Sequence, residues 1–160
     1  DILMSNILII SLCIFSVGQV AIEGGRRPKD IQRFYLDRGQ DKIKLCTDIA
    51  TRAKDKNIDP LEVIALSFIE TRHTNNLTSK AGAKGALQAL PKYWSRKSDT
   101  DYIDAGLRAW MYYRSKTKSL RHTAGRYNGA GSRSYYAKKY MRHYEKLKKI
   151  KRTLNAGVRL

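Results

Sequence analysis

The sequence predicts a mainly α protein with one helical domain. Two observations support this prediction. Apolar residues recur at the three- and four-residue spacing of a helix face in several segments. No segment of useful length alternates apolar and polar residues, as a half-buried strand does. With 160 residues, the chain is long enough for one domain around one hydrophobic core.

The N-terminal part is an apolar run over residues 7–22, without a charged residue before Glu23. A membrane-spanning helix needs about 20 apolar residues, and a shorter run is typical of a signal peptide. We therefore predict that residues 1–25 are a signal peptide or short membrane anchor with its linker. The alternative is a buried helix of the domain. The predicted catalytic domain covers residues 30–150, and residues 151–160 form a predicted basic tail.

The next two predicted helices lead to a carboxylate. Residues 41–56 have the pattern of an amphipathic helix. Asp59 is expected to cap the following helix, with Pro60 at its first position. This second helix is apolar on nearly all sides, which is typical of a helix at the centre of a core. Its last residue is Glu70.

The remaining chain predicts a loop and further helices. A glycine-containing loop follows Glu70 and is expected to lead into a short helix that Pro91 ends or bends. Residues 101–114 and 134–147 show helical periodicity, and turns are expected at Gly125 and at 128–131. A series of tyrosines at helical spacing in the last segment is interpreted as packing: Tyr136, Tyr140 and Tyr144.

The cysteines and histidines indicate no metal site. Cys13 lies in the apolar N-terminal run, so the case for a disulfide is weak, and Cys46 is interpreted as a small buried residue. His73, three residues after Glu70, is interpreted as a solvated side chain, with a place in the lining of a cleft as the alternative. Since no Cys/His group has the spacing of metal ligands, we expect no metal and no cofactor.

The charge is strongly basic. The chain has 32 Lys and Arg against 14 Asp and Glu, a net charge of +18. Such a charge favours binding to polyanions: nucleic acid, anionic lipid or the anionic polymers of a bacterial envelope. The segment from Arg133 to Arg152 is especially basic, and it is either a solvated helix face with a frayed tail or a tether to an anionic wall or membrane surface.

Four short segments in order suggest a specific chemistry. They are Glu70-Thr71, then GAKGALQALP at residues 82–91, IDAG at 103–106 and YNGAG at 127–131 followed by Tyr135-Tyr136. Together they resemble the soluble lytic transglycosylases of the goose-type lysozyme superfamily. That family has Glu-Ser, Gly-x-x-Gly-Leu-Met-Gln-x-x-Pro, Asn-Ile-x-x-Gly and Ala-x-x-Tyr-Asn-x-Gly. The resemblance extends from about residue 58 to about residue 140, roughly half of the chain.

The sequence departs from the family pattern at a few positions. Thr71 replaces the serine and keeps its hydroxyl, while Ala86-Leu87 replaces Leu-Met. Tyr102 replaces the asparagine before the third segment, which puts a polar contact there in doubt.

The resemblance implies a lysozyme-like helical domain with a substrate cleft. It implies cleavage of the β-1,4 bond between MurNAc and GlcNAc in peptidoglycan, with a 1,6-anhydroMurNAc product and Glu70 as sole general acid and base. The substrate-binding residues carried over from the family motifs are Thr71, Gly85, Gln88, Tyr127 and Asn128. The implied partner is the peptidoglycan glycan strand, and no nucleic acid is expected. The apolar N-terminus and the resemblance together predict the cell envelope, the periplasm or the exterior, with membrane anchoring as one form. The small size and high charge also favour a virion-associated enzyme.

The chemistry can also be argued from the residues. A general acid must hold a proton near neutral pH, and an apolar helix raises the pKa of a carboxyl such as Glu70. A glycoside hydrolase needs a second carboxylate, for which Asp99, Asp101 and Asp104 are the nearest candidates. The alternatives are therefore a lysozyme-type hydrolase and, from another class, a basic nucleic-acid-binding protein.

Overall fold

The structure, a computed structural model, describes residues 4–158. Within that range the chain is helical and has no strand, which confirms the prediction of a mainly α fold. A π-helical turn, Tyr35–Gly39, joins the second and third helices. The helices are α1 (Asn6–Glu23), α2 (Pro28–Phe34), α3 (Gln40–Asp55), α4 (Pro60–Thr71), α5 (Pro91–Trp94), α6 (Ile103–Lys116), α7 (Leu120–Asn128) and α8 (Tyr135–Val158).

The centre of the fold is α4, which packs against α1, α3 and α8. All its residues from Pro60 to Phe68 are buried. The Asp59 carboxylate accepts a hydrogen bond from the Leu61 N–H at 3.0 Å, so this helix begins as the sequence predicts. The burial of α4 places Glu70, near its C-terminal end, at the edge of the core.

The N-terminal helix α1 is part of the same core. Ile9, Leu12 and Val17 are fully buried, and α1 packs against α3, α4 and α8. One face of α1 is therefore part of the core, in the direction of the buried-helix alternative, but only 44% of the helix is buried, and Ile7, Ile10, Ile14 and Ile22 are exposed. With 18 residues and a mean hydropathy of 1.8, α1 is also long and apolar enough to cross a membrane. Core helices and signal sequences share these properties, so the export role stays a prediction. Residues 1–3 lie outside the described residues.

A disulfide joins α1 to α3. Cys13 and Cys46 are bonded, with their Cα atoms 5.8 Å apart. The interpretation of Cys46 as an unpaired buried residue is therefore wrong. The pairing was missed because α1 was treated as a segment outside the domain, whereas its packing on α3 brings the two cysteines together.

Two predicted boundaries are also wrong. Pro91 begins α5 instead of ending a helix, because proline suits the first helical position, where an N–H has no partner in the helix. The last helix extends beyond the predicted segment 134–147 and continues to Val158. Leu147 is buried and Ile150 packs against the core, which holds this part of α8 in place. Residues 159–160 of the predicted tail lie outside the described residues.

Gly125, predicted as a turn residue, lies inside α7. A Cβ atom at this position would be 2.3 Å from the carbonyl carbon of Gly131 and 2.6 Å from the backbone nitrogen of Ser132. Gly131 also donates its N–H to the Gly125 carbonyl at 3.2 Å. This glycine therefore permits a close approach between α7 and the following turn.

Replacing Gly125 with Ala is expected to lower the free energy of unfolding by about 1–3 kcal/mol, measured by urea denaturation. The added methyl group meets backbone atoms, which cannot rotate away as a side chain would. Gly157→Ala is the matched control, since Gly157 is also helical and a Cβ there meets nothing within 4 Å. Equal stability of the two variants would contradict this account of the contact.

Candidate active site

Glu70 faces a cleft of about 350 Å³. Four of the six predicted site residues line this cleft: Glu70, Gln88, Tyr127 and Asn128. Thr71 and Gly85 are not part of its lining. Side chains that the sequence analysis did not assign to the site also line it, among them Ser79 and Tyr113.

The Glu70 carboxyl is set for proton transfer near neutral pH. Burial raises its pKa to about 7, and a hydrogen bond from Tyr136 partly opposes that rise. The Tyr136 hydroxyl donates to Oε2 of Glu70 at 2.5 Å. Because the pKa is near 7, both the acid and the carboxylate are populated at neutral pH, and one group can donate a proton and later accept one.

Tyr136 is the functional contact that sequence reasoning missed. The spacing of the three tyrosines in α8 favoured packing, and this holds for Tyr140, which is fully buried, and for Tyr144, which stacks on it with ring centroids 6.4 Å apart. Tyr136 lies in the first turn of α8, where that helix passes the end of α4. The available signal was its position five residues after the YNGAG segment of the fourth motif.

The loop that carries the second motif is closed by its own backbone and by Gln88. The Gly85 N–H donates to the Leu77 carbonyl at 2.9 Å. The side-chain amide of Gln88 donates to the carbonyls of Leu77 at 3.1 Å and of Gly85 at 2.9 Å. Gln88 has φ 54°, a left-handed backbone that these bonds hold in place. Gln88 therefore shapes the loop as well as lining the cleft.

Three contacts attach this loop to the helices. Thr71 donates its hydroxyl to the Ala86 carbonyl at 2.9 Å, and Tyr127 donates to the Leu87 carbonyl at 2.5 Å. Leu87 packs on Gly106 of α6. A Cβ atom added to Gly106 would lie 2.5 Å from the Cβ of Leu87. Thr71 is thus a buried link between α4 and the loop. Tyr127 does not hold the Glu70 carboxyl, a contact that Tyr136 makes instead.

The two tryptophans differ in position. Trp110 is fully buried, and its Nε1–H donates to the Glu62 carboxylate at 3.0 Å, so it belongs to the core. Trp94 is half-buried and lines the cleft, with its ring centroid 5.9 Å from that of Tyr113. Of the two, Trp94 is the one that presents an aromatic surface to a ligand.

None of the predicted second carboxylates lies in the cleft. Asp99 pairs with Arg108, Asp101 with Arg52 at 2.8 Å, and Asp104 lies 3.8 Å from Arg52. Among the described residues that line the cleft, Glu70 is the only acid. This arrangement lacks the carboxylate pair of ordinary glycoside hydrolases.

His73 is buried, so its interpretation as a solvated histidine is wrong. It is 1% exposed, and its two ring nitrogens lie 2.7 Å from the Ser16 hydroxyl and 2.9 Å from the Ser67 hydroxyl. Burial lowers the pKa of its ring well below the usual value. The residue forms part of the corner that follows Glu70.

A larger groove of about 1140 Å³ lies elsewhere, between α1, the π-helical turn and α3. It contains none of the predicted site residues. Its acidic lining residues are Asp37, Asp41 and Asp48, and Arg38, Lys42 and Lys44 also line it. We place the candidate active site at Glu70, where an acid with a raised pKa meets a polar cleft.

No known protein family, curated protein or solved structure matches this chain. Three of the four motifs contribute residues to the cleft: the first with Glu70, the second with Gln88 and the fourth with Tyr127 and Asn128.

Proposed function

We propose that this protein is a peptidoglycan lytic transglycosylase with a lysozyme-like helical domain, in which Glu70 is the sole general acid and base. One observation carries the proposal. Glu70 has a pKa of about 7 and is the only acid among the described residues that line its cleft. The order of the four motifs supports the substrate class.

In the proposed reaction, protonated Glu70 donates its proton to the glycosidic oxygen between MurNAc and GlcNAc. The C1–O bond breaks, and positive charge develops at C1 and the ring oxygen of MurNAc. The Glu70 carboxylate then takes the proton of the 6-hydroxyl of the same MurNAc, whose oxygen bonds to C1. The product is 1,6-anhydroMurNAc, no water is consumed, and Glu70 is protonated again.

The surrounding side chains suit this reaction. Tyr136 stabilises the Glu70 carboxylate that exists between the two proton transfers. The side-chain carbonyl oxygen of Gln88 and the side-chain amide of Asn128 can bind sugar hydroxyl and acetamido groups. Trp94 provides an apolar ring surface for a pyranose, and Tyr127 fixes the loop that carries Gln88.

The cell envelope is the proposed location. The Cys13–Cys46 disulfide is typical of proteins in oxidising compartments, including the periplasm and the exterior. Several basic side chains of α8 are exposed, among them Lys138, Arg142 and Lys149. We include in the proposal that this helix binds an anionic wall polymer or membrane surface.

Mass spectrometry of the fragments released from purified cell-wall sacculi tests the function. The proposal predicts 1,6-anhydro ends. Reducing ends would instead indicate a lysozyme-type hydrolase. Binding to duplex DNA across a salt series, without release of wall fragments, would contradict the proposal and support the nucleic-acid-binding alternative.

Replacing Tyr136 with Phe is expected to lower kcat about tenfold or more, since a hydrogen bond to a charged group is worth about 1.5–3 kcal/mol. It should also move the pH dependence. The Tyr136 hydrogen bond lowers the pKa of Glu70, so its loss raises that pKa. The reaction needs protonated Glu70, and the decline of the rate at alkaline pH should therefore shift to higher pH.

Tyr144→Phe is the control for this measurement. Tyr144 lies on the same helix about two turns beyond Tyr136 and stacks on Tyr140. Its variant should keep the wild-type pH profile. An unshifted profile in Tyr136→Phe would contradict the role given to the Tyr136 hydroxyl.

A further inference from the structure

We propose that α1 belongs to the catalytic apparatus and that Ser16 is a positioning residue, which fixes Glu70 and Tyr136 relative to each other. This inference rests on the proposed role of Glu70 as the acid. It assigns a function to a helix that, by sequence alone, is expected to lie outside the catalytic domain.

The Ser16 hydroxyl bridges the two elements that carry the acid and its partner. Its Oγ lies 2.7 Å from Nε2 of His73 and 2.8 Å from Nε2 of His143. His73 follows the C-terminal end of α4, close after Glu70. His143 lies seven residues after Tyr136 on α8, which is about two helical turns, so the two share a face. One buried hydroxyl therefore connects the Glu70 end of α4 with the Tyr136 face of α8.

The corner after Glu70 needs such support. Arg72 and His73 both have left-handed backbones, with φ 52° and 57°, a conformation that non-glycine residues adopt only when their surroundings hold them. Lys42 of α3 donates to the Arg72 carbonyl at 2.7 Å. From α1, Glu23 pairs with the Arg72 guanidinium at 2.9 Å, and Ser16 contacts the His73 ring. Helix α1 thus contributes two of the contacts that hold the corner.

The bridge is intact at the pH where Glu70 is active, because both histidines stay neutral. Burial lowers the pKa of His143 to about 3 and that of His73 well below its usual value. The charged groups around the two histidines are mostly cationic, and cations oppose protonation of the rings further. These groups are Lys42 of α3, Arg72 of the corner, Lys139, Arg142 and Lys146 of α8, and one acid, Glu23 of α1.

A consequence is that the working enzyme retains α1. Cleavage after Glu23 would remove Ser16 from the bridge, Glu23 from Arg72 and Cys13 from its disulfide. The strained corner would then keep its contact with Lys42 but lose those with α1, so the Glu70 end of α4 would be less firmly positioned against Tyr136.

The test compares Ser16→Ala with Ser11→Ala. Ser11 also lies in α1, but its hydroxyl donates to the Ile7 carbonyl within the same helix at 2.9 Å. The Glu70 carboxyl carbon is titrated by NMR in wild type and both variants, with Glu70→Gln used to assign the signal. Loosening of the corner admits water, and burial is the main cause of the raised pKa. We therefore expect a lower Glu70 pKa in Ser16→Ala and the wild-type value in Ser11→Ala.

This titration needs no substrate, so it tests the positioning even if the wall-cleavage proposal fails. In the activity assay, kcat of Ser16→Ala should fall about tenfold or more through misplacement of the acid, with KM nearly unchanged. Glu23→Gln leaves the core intact and should also lower the Glu70 pKa and kcat, by less than Ser16→Ala does. If Ser16→Ala does not fold, this variant tests whether α1 positions Glu70. A Glu70 pKa equal to or above that of Ser11→Ala would overturn the proposal.

Discussion

Replacing Glu70 with Gln is expected to reduce the release of wall fragments by about 10²–10⁴-fold, the usual contribution of a general acid–base group. Gln has nearly the same shape but has no proton to donate at this position and cannot act as the base afterwards. The cleft offers no substitute, since Glu70 is the only acid among the described residues that line it. The measurement is the initial rate of release from purified sacculi.

The stability of the same variant separates a catalytic loss from a folding loss. The pKa of Glu70 is raised from 4.5 to about 7, so between these values the folded state binds the proton more tightly than the unfolded state. The contribution of Glu70 to the stability of wild type therefore falls as pH rises through this window. Glu70→Gln lacks this dependence. Its free energy of unfolding should increase relative to wild type from pH 4.5 to pH 7.

Glu145→Gln is the matched control, because Glu145 is an exposed carboxylate on α8. It should retain the wild-type rate and the wild-type dependence of stability on pH. Substantial release by Glu70→Gln would mean that another group supplies the proton, and the proposed function would fail with it.

The Glu70 helix shows how much local sequence can predict. An aspartate cap, a proline at the first position and an apolar surface on all sides are local features, and each has a local structural consequence. The prediction that Glu70 ends a central helix is confirmed. The raised pKa follows from the same burial.

The contacts of Glu70 depend on distant parts of the chain and were less predictable. Tyr136 reaches the carboxyl because α8 packs across α4, a fact that helical spacing within α8 does not contain. The prediction of a turn at Gly125 is wrong because the glycine serves a contact in space. It lies inside α7 and permits the close approach of Gly131, which belongs to the following turn. In both cases a residue's role is set by its tertiary contacts.

The cysteine pair provides the second large expected effect. Replacing both Cys13 and Cys46 with Ala is expected to lower the free energy of unfolding by about 2–5 kcal/mol. The bond closes a loop with a sequence separation of 33 residues, and its loss gives the unfolded chain more conformational freedom. Urea denaturation of the double variant and of wild type measures the difference.

The expected loss depends on α1 being part of the cooperative fold. If residues 1–25 were an independent signal segment, the domain would unfold at the same urea concentration with or without the bond. The structure instead places Cys13 among fully buried residues of the core, beside Ile9 and Leu12. A reducing agent should therefore destabilise wild type about as much as the double substitution does, and should leave the double variant unchanged. Equal unfolding of oxidised wild type and the double variant would show that α1 does not stabilise the domain that carries Glu70.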